Sequence, residues 1–216
     1  HANHGWLNAR HHFSFASYQN PDRMGFGAIR VINDDIIQAK NGFDTHPHKN
    51  MEIITYVRTG AITHKDSVGN EGRTEAGDVQ IMSAGSGIYH SEFNLEDTDT
   101  TLYQIWIEPN QTGLTPTWAS YKFPKKTANE LTLLASGDPG SPLFINQDAH
   151  IYAGSLLEGT RLTQSINHQA YMLVSDGTIT VDGKPAGKGD GVEVTDQTSV
   201  SLVATTTAEV LILDVP

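Results

Sequence analysis

Ala76-Gly77-Asp78-Val79-Gln80-Ile81-Met82-Ser83-Ala84-Gly85-Ser86-Gly87-Ile88-Tyr89-His90-Ser91-Glu92 carries the most information in this chain. Residues 76–78 are a turn signal, and residues 79–82 read as a short strand. Gly85 and Gly87 mark a second turn, and two metal-ligand side chains follow. His90 and Glu92 stand at i and i+2, as do His46 and His48 of His46-Pro47-His48 upstream. Successive side chains of a strand point to opposite faces, so each pair shares one face. Two such strands meeting inside a barrel aim three imidazoles and one carboxylate at a common point. Glu52 has the parity of His46 and His48, so a regular strand also turns it inward; spacing alone leaves Glu52 and Glu92 both open as the carboxylate.

The same rhythm extends in both directions. Residues 51–57 (MEIITYV) and 102–107 (LYQIWI) read as strands, and Gly60, Gly69 and Gly72 fall at turn positions. In the second half, residues 151–156, 170–174, 178–181, 191–194, 200–204 and 209–214 read as strands, with Asp182-Gly183 as a hairpin turn. Helical signal is sparse. Residues 115–121 suit a short helix or an extended connector. Pro109, Gly113, Pro116 and Pro124 cluster around them, which places a domain boundary there, with units 1–118 and 119–216. Many short strands with close turn signals predict an all-β chain built as two copies of one barrel plan.

Bulk properties exclude several classes. The chain has 216 residues, 38% hydrophobic and 18% charged, which suits a folded protein with ample core. A net charge of −11 argues against direct nucleic-acid binding, and the Lys125-Lys126 pair is too small to reverse it. With no cysteine, disulfides and thiolate metal sites are excluded. No apolar run reaches the length of a membrane span, and the default expectation is a cytoplasmic protein without membrane attachment. The sequence begins at His1 rather than Met, and Asn110-Gln111-Thr112 is a formal glycosylation sequon that chance explains. Zincin helix, nucleophile elbow and phosphate-loop motifs are absent. Three imidazoles and a carboxylate suit Fe(II), Mn(II), Ni(II), Co(II) or Zn(II), and the lack of sulfur argues against Cu(I). Four such ligands on an octahedral ion leave two positions for chemistry.

The run His46-Pro47-His48-Lys49-Asn50-Met51-Glu52, then Gly60, then Gly77 through Glu92, resembles the pirin family of the cupin superfamily. Phe13-Ser14-Phe15, Met24-Gly25-Phe26, Arg30-Val31-Ile32-Asn33-Asp34-Asp35 and Tyr103-Gln104-Ile105-Trp106-Ile107 extend the likeness. The second half is similar to bacterial pirin-like proteins of the quercetinase type. The resemblance implies a bicupin, two jelly-roll β-barrels packed face to face, with a metal only in the N-terminal barrel. Its ligands would be His46, His48, His90 and Glu92, since pirins take the carboxylate from the second motif. Glu52 would then support a ligand histidine, and His64 would line the pocket or cap a strand. His150 and His168 would be structural, and Phe13 and Phe15 core residues.

The activity implied is that of quercetin 2,3-dioxygenase, which opens a flavonol's central ring with O2 and releases carbon monoxide. The expected cofactor is one divalent metal ion, Fe2+ first, with Ni, Mn, Co, Zn or Cu as alternatives. Glu92 is the expected catalytic base, with Glu52 second. A small aromatic substrate and O2 are the expected partners. The alternative reading is a regulatory, metal-containing protein that binds a protein partner.

Overall fold

Short runs of alternating or β-branched residues form twenty strands in the computed structural model, which describes residues 1–124 and 127–216. No helix occurs among the described residues, and none is therefore long and apolar enough to cross a membrane. Lys125-Lys126 lies outside the described residues. The chain divides into two units, residues 1–123 with 145–147, and residues 124–144 with 148–216.

The first unit contains β1 (Ala2–Asn3), β2 (Leu7–His11), β3 (Ile29–Ile37), β4 (Gly42–His48), β5 (Glu52–Thr59), β6 (Ala61–Asp66), β7 (Glu71–Glu75), β8 (Val79–Ser83), β9 (Ile88–Phe93), β10 (Thr100–Ile107) and β11 (Thr117–Tyr121). They make a seven-stranded sheet, β1-β2-β3-β10-β5-β8-β11, and a four-stranded sheet, β4-β9-β6-β7. All pairings are antiparallel, so one face of each sheet can turn to a core while the other meets solvent. Leu7, Ile37, Val57, Ile62 and Leu102 form one apolar cluster, and Ile53, Met82, Ala84 and Ile88 another.

The second unit contains β12 (Glu130–Ser136), β13 (His150–Leu156), β14 (Arg161–Ser165), β15 (Gln169–Asp176), β16 (Thr178–Val181), β17 (Lys184–Gly187), β18 (Gly191–Val194), β19 (Ser199–Ala204) and β20 (Ala208–Val215). These form a five-stranded sheet, β12-β13-β20-β15-β18, and a four-stranded sheet, β14-β19-β16-β17. Asp182 and Gly183 join β16 to β17 with φ of 47° and 78°, the left-handed pair that a two-residue hairpin loop requires. A large apolar cluster, including Leu156, Met172, Ile179, Leu202 and Ile212, fills its interior.

Residues 117–121 are neither helix nor connector but β11, paired with β8 from Thr117↔Ser83 to Tyr121↔Val79. A boundary after residue 118 would cut this strand, and its hydrogen bonds to β8 keep it whole in the first unit. The proline cluster hid a strand, but Pro116 lies just before it, so Thr117–Tyr121 keep the N–H groups that a strand needs for pairing.

Candidate metal centre and its cavity

β4 and β9 lie side by side, with His46 opposite His90 and His48 opposite Ile88. The alternation of side chains then brings His46, His48 and His90 to one face. One ligand atom from each lies within 4.8 Å of the others. Their ring centroids are 4.5–4.9 Å apart. Burial, then the neighbouring His90 and His46, pushes His48 down to about 4. Burial, then His46 and His64, pushes His90 down to about 3. Both imidazoles are therefore neutral at pH 7, the form that binds a metal.

The hydrogen bonds around these rings leave their inner nitrogens bare. His46 Nδ1 donates to the Asp44 carbonyl at 2.6 Å, which frees Nε2. On β6, Asp66 Oδ2 lies 2.9 Å from His64 Nε2. A carboxylate only accepts, so Nε2 of His64 carries the proton and its Nδ1 is bare. His90 Nδ1 then donates to His64 Nδ1 across 3.3 Å. His90 Nε2 remains, buried and without a hydrogen-bond partner. Such an atom is costly unless something accepts its lone pair, and a divalent cation does so. Burial raises the Asp66 carboxyl, but hydrogen bonds from His64, Asn70 and Val68 outweigh it and hold Asp66 below its usual range.

His64 belongs to a second close group with His90 and Glu92. Both of its nitrogens are engaged, so it supports His90 rather than facing the cavity. Trp118 of β11 stacks on it at 5.0 Å and 11°. This contact depends on Gly72, paired with His64 across β6 and β7; a Cβ there would meet Trp118 Cη2 at 2.2 Å.

Glu92 is buried and held on both oxygens. Gln80 Nε2 donates to Oε1 and Gln104 Nε2 to Oε2, each at 2.7 Å, and the Thr55 hydroxyl lies 3.1 Å from Oε1. These groups come from one cross-strand row of the large sheet, His11–Asn33–Gln104–Thr55–Gln80, in direct register over five strands. These donors fix the position of the carboxylate on both of its oxygens.

Glu52 is not at this centre. Asn50, at φ +50°, ends β4 before β5 begins, so the parity argument does not carry across the break. The Glu52 carboxylate instead accepts from the Ser83 hydroxyl at 2.8 Å and the Asn146 backbone N–H at 3.2 Å. Among the described residues its hydrogen bonds run to Ser83 and Asn146 and not to His46, His48 or His90. Phe13 is buried core, whereas Phe15 faces the cavity and meets Trp106 edge-on at 5.5 Å. Their shared parity fails because residues 12–14 are not strand.

The three histidines and Glu92 open onto a cavity of about 440 Å³ inside the first unit. Trp6, Phe15, Phe43, Ile53 and Trp106 supply apolar wall, and His11, Asn33, Asp35 and Gln104 supply polar wall. Trp106 also meets His48 edge-on at 4.9 Å. Sequence reasoning missed Asn33, Asp35, Thr55, Gln80 and Gln104. The available signal was an inward-parity polar residue inside an otherwise apolar strand, as in IRVINDDII and LYQIWI. The residues present fit a divalent transition metal: neutral imidazoles, a bare buried nitrogen and an anchored carboxylate.

Comparison with known proteins agrees over the whole chain. The pirin family model matches residues 1–107, and the model described as the quercetinase C-terminal cupin domain matches residues 133–215. A pirin-like protein of Caulobacter vibrioides is 47% identical over 218 residues, covering 99% of this chain and 94% of its own. An Escherichia coli protein named quercetin 2,3-dioxygenase is 44% identical over 219 residues, covering 100% of this chain and 94% of its own. The crystal structure of the bacterial pirin YhhW from Escherichia coli in complex with nickel(II) aligns with a TM-score of 0.93 at 44% identity, covering 100% of this chain and 94% of that one.

Proposed function

The chain belongs to the pirin family, and on that premise we propose that it is a metal-dependent dioxygenase opening the central ring of a flavonol such as quercetin. The observation that carries this reading is the convergence of His46, His48 and His90 on the wall of a largely apolar cavity of about 440 Å³. A closed structural site has no need of such a cavity, whereas a planar aromatic substrate does.

His46, His48, His90 and Glu92 are the proposed ligands. Iron(II) and nickel(II) are the first ions to test, nickel because a 44% identical relative was crystallised with it. When bound, the ion supplies Lewis acidity that lowers the pKa of a hydroxyl beside a carbonyl and polarises that carbonyl. Glu92 is the proposed acceptor of the hydroxyl proton. Gln80 and Gln104 hold its carboxylate in place, one on each oxygen. Phe15, Trp106, Ile53 and Phe43 exclude water from the reacting ring. In the overall reaction both atoms of O2 enter the cleaved product, and one ring carbon leaves as carbon monoxide.

The test is aerobic quercetin turnover by protein reconstituted with iron(II) or with nickel(II), with chelated apo-protein as control. Metal-dependent loss of quercetin absorbance with carbon monoxide release is expected. Glu92→Gln should lower both metal content and turnover; wild-type rates in that variant would remove Glu92 from the mechanism. Absence of turnover with metal demonstrably bound would favour the regulatory reading.

A further inference from the structure

Most polar groups on the cavity wall are paired within the protein. Asn33 Oδ1 meets His11 Nδ1 at 2.8 Å, and Gln104 holds Glu92. Three buried atoms there are not, His90 Nε2, Trp106 Nε1 and Asp35 Oδ1, and of these three residues only Asp35 is a carboxyl. It stands two residues after Asn33 on β3, so it shares the inward face, and its exposure is 2%. In register it lies between Ala9 of β2 and Leu102 of β10, both apolar. Its neighbour Asp34 points to the other face, where Arg58 pairs with it. Oδ1 of Asp35 is buried with no hydrogen-bond partner. Asp35 and Glu92 are the only carboxyls among the residues lining the cavity.

A buried oxygen without a donor is costly, and strands of this sheet offer many apolar residues that would fill the position at no such cost. Ionisation is also disfavoured: burial, then Asp34 and Glu92, pushes the carboxyl up to about 7 despite Arg58. Oδ1 accepts a hydrogen bond whether the group is ionised or carries its proton on Oδ2. No protein group supplies a donor to Oδ1, and the open space beside Asp35 is the cavity that it lines.

We propose that Asp35 is a substrate-binding residue whose Oδ1 accepts a hydrogen bond from a ring hydroxyl of a polyhydroxylated flavonol, remote from the group bound at the metal. The assignment rests on the flavonol reading above and adds selectivity to it. Apolar walls alone discriminate weakly against an added or missing hydroxyl, whereas a buried acceptor rejects the analogue that leaves it unpaired.

The experiment uses the metal-loaded protein and two ligands, quercetin and 3-hydroxyflavone, which keeps only the hydroxyl beside the carbonyl. Binding is followed without oxygen by the flavonol absorbance shift, and metal content is measured on every sample. Wild type should bind quercetin about 10-fold more tightly than 3-hydroxyflavone. Asp35→Ala should erase that preference by weakening quercetin alone, and Asp35→Asn, which retains an acceptor oxygen, should keep it. A wild type without preference overturns the proposal even if the variants fail to fold, and so does a preference that survives in Asp35→Ala. Selective binding that depends on Asp35 but leads to no aerobic turnover would sink the dioxygenase reading and leave Asp35 as the hydroxyl acceptor. Normal turnover with no effect of Asp35→Ala would sink Asp35 alone. Failure of both ligands to bind would sink both.

Discussion

The two units follow one plan, a larger and a smaller antiparallel sheet, and use their interiors in opposite ways. In the second, Leu156, Met172, Leu202 and Ile212 interdigitate in an apolar cluster. In the first, the larger sheet carries the polar row His11–Asn33–Gln104–Thr55–Gln80, and the smaller sheet turns His90 and Glu92 inward. The second unit also has histidines, but each is hydrogen-bonded to a carboxylate: His150 Nε2 to Asp138 at 2.7 Å, and His168 Nε2 to Asp148 at 3.0 Å. Neither joins a metal-competent group among the described residues. Strand pairing sets His46, His48 and His90 beside one another, and hydrogen bonds occupy one nitrogen of His46 and one of His90. The same scaffold without those conditions is only a core.

Four variants sharpen or break this contrast. His90→Ala should have the largest effect, because it removes a proposed ligand and leaves His64 without its donor. Metal affinity, read by titration against a chelator, should fall beyond the roughly 10- to 100-fold loss typical of an outer partner. Retained stoichiometric metal would show that His90 is no ligand. Leu202→Ala in the second unit should cost about 2–5 kcal/mol of stability in denaturant unfolding, with metal content per folded protein unchanged. A loss of metal there would mean that the units do not divide the work. His64→Phe keeps the stack on Trp118 but removes the acceptor of His90 Nδ1–H. About a 10- to 100-fold loss of metal affinity is expected, and an unchanged value would break the Asp66–His64–His90 chain.

The smallest effect concerns Asp35 in metal-free protein. Burial, then Asp34 and Glu92, raises its folded pKa to about 7 from the ordinary carboxyl value of about 4. The unfolded chain therefore binds fewer protons between those values, and the stability contributed by the neutral carboxyl is present below about 4 and lost as pH rises through about 7. Asp35→Asn should consequently raise the thermal midpoint at pH 8 by a few degrees and give no such gain at pH 4. His48 and His90 act in the reverse sense. Their folded values, about 4 and about 3, lie below the ordinary imidazole value, so wild-type apo-protein should weaken as pH falls from about 6.5. An equal gain for Asp35→Asn at both pH values would show that the carboxyl is not perturbed.

Much of the first unit was legible because a strand has a period of two. His46 and His48, or His90 and Glu92, must share a face wherever the chain is extended, and turn glycines bound those stretches. The same rule misled at Glu52, since parity is meaningful only along an unbroken strand and Asn50 interrupts it. It also misled at Phe15, which follows irregular backbone. β11 was missed because strand pairing with β8, rather than local propensity, makes residues 117–121 extended.

What the sequence by itself determined is local: which residues lie on one face, where turns fall, and a donor set without sulfur. The repeated rhythm of strands and turns gave the two-part plan, and family likeness chose Glu92 over Glu52 as the expected carboxylate. Only the tertiary structure decided which strands are neighbours, and that adjacency is a long-range choice not encoded in any one segment. It set His46 against His90, brought Trp118 over His64 through the space left by Gly72, and assembled the amide row that holds Glu92 from strands far apart in the chain. It also left Asp35 facing the cavity with an unpaired oxygen, because pairing or its lack depends on every neighbour at once.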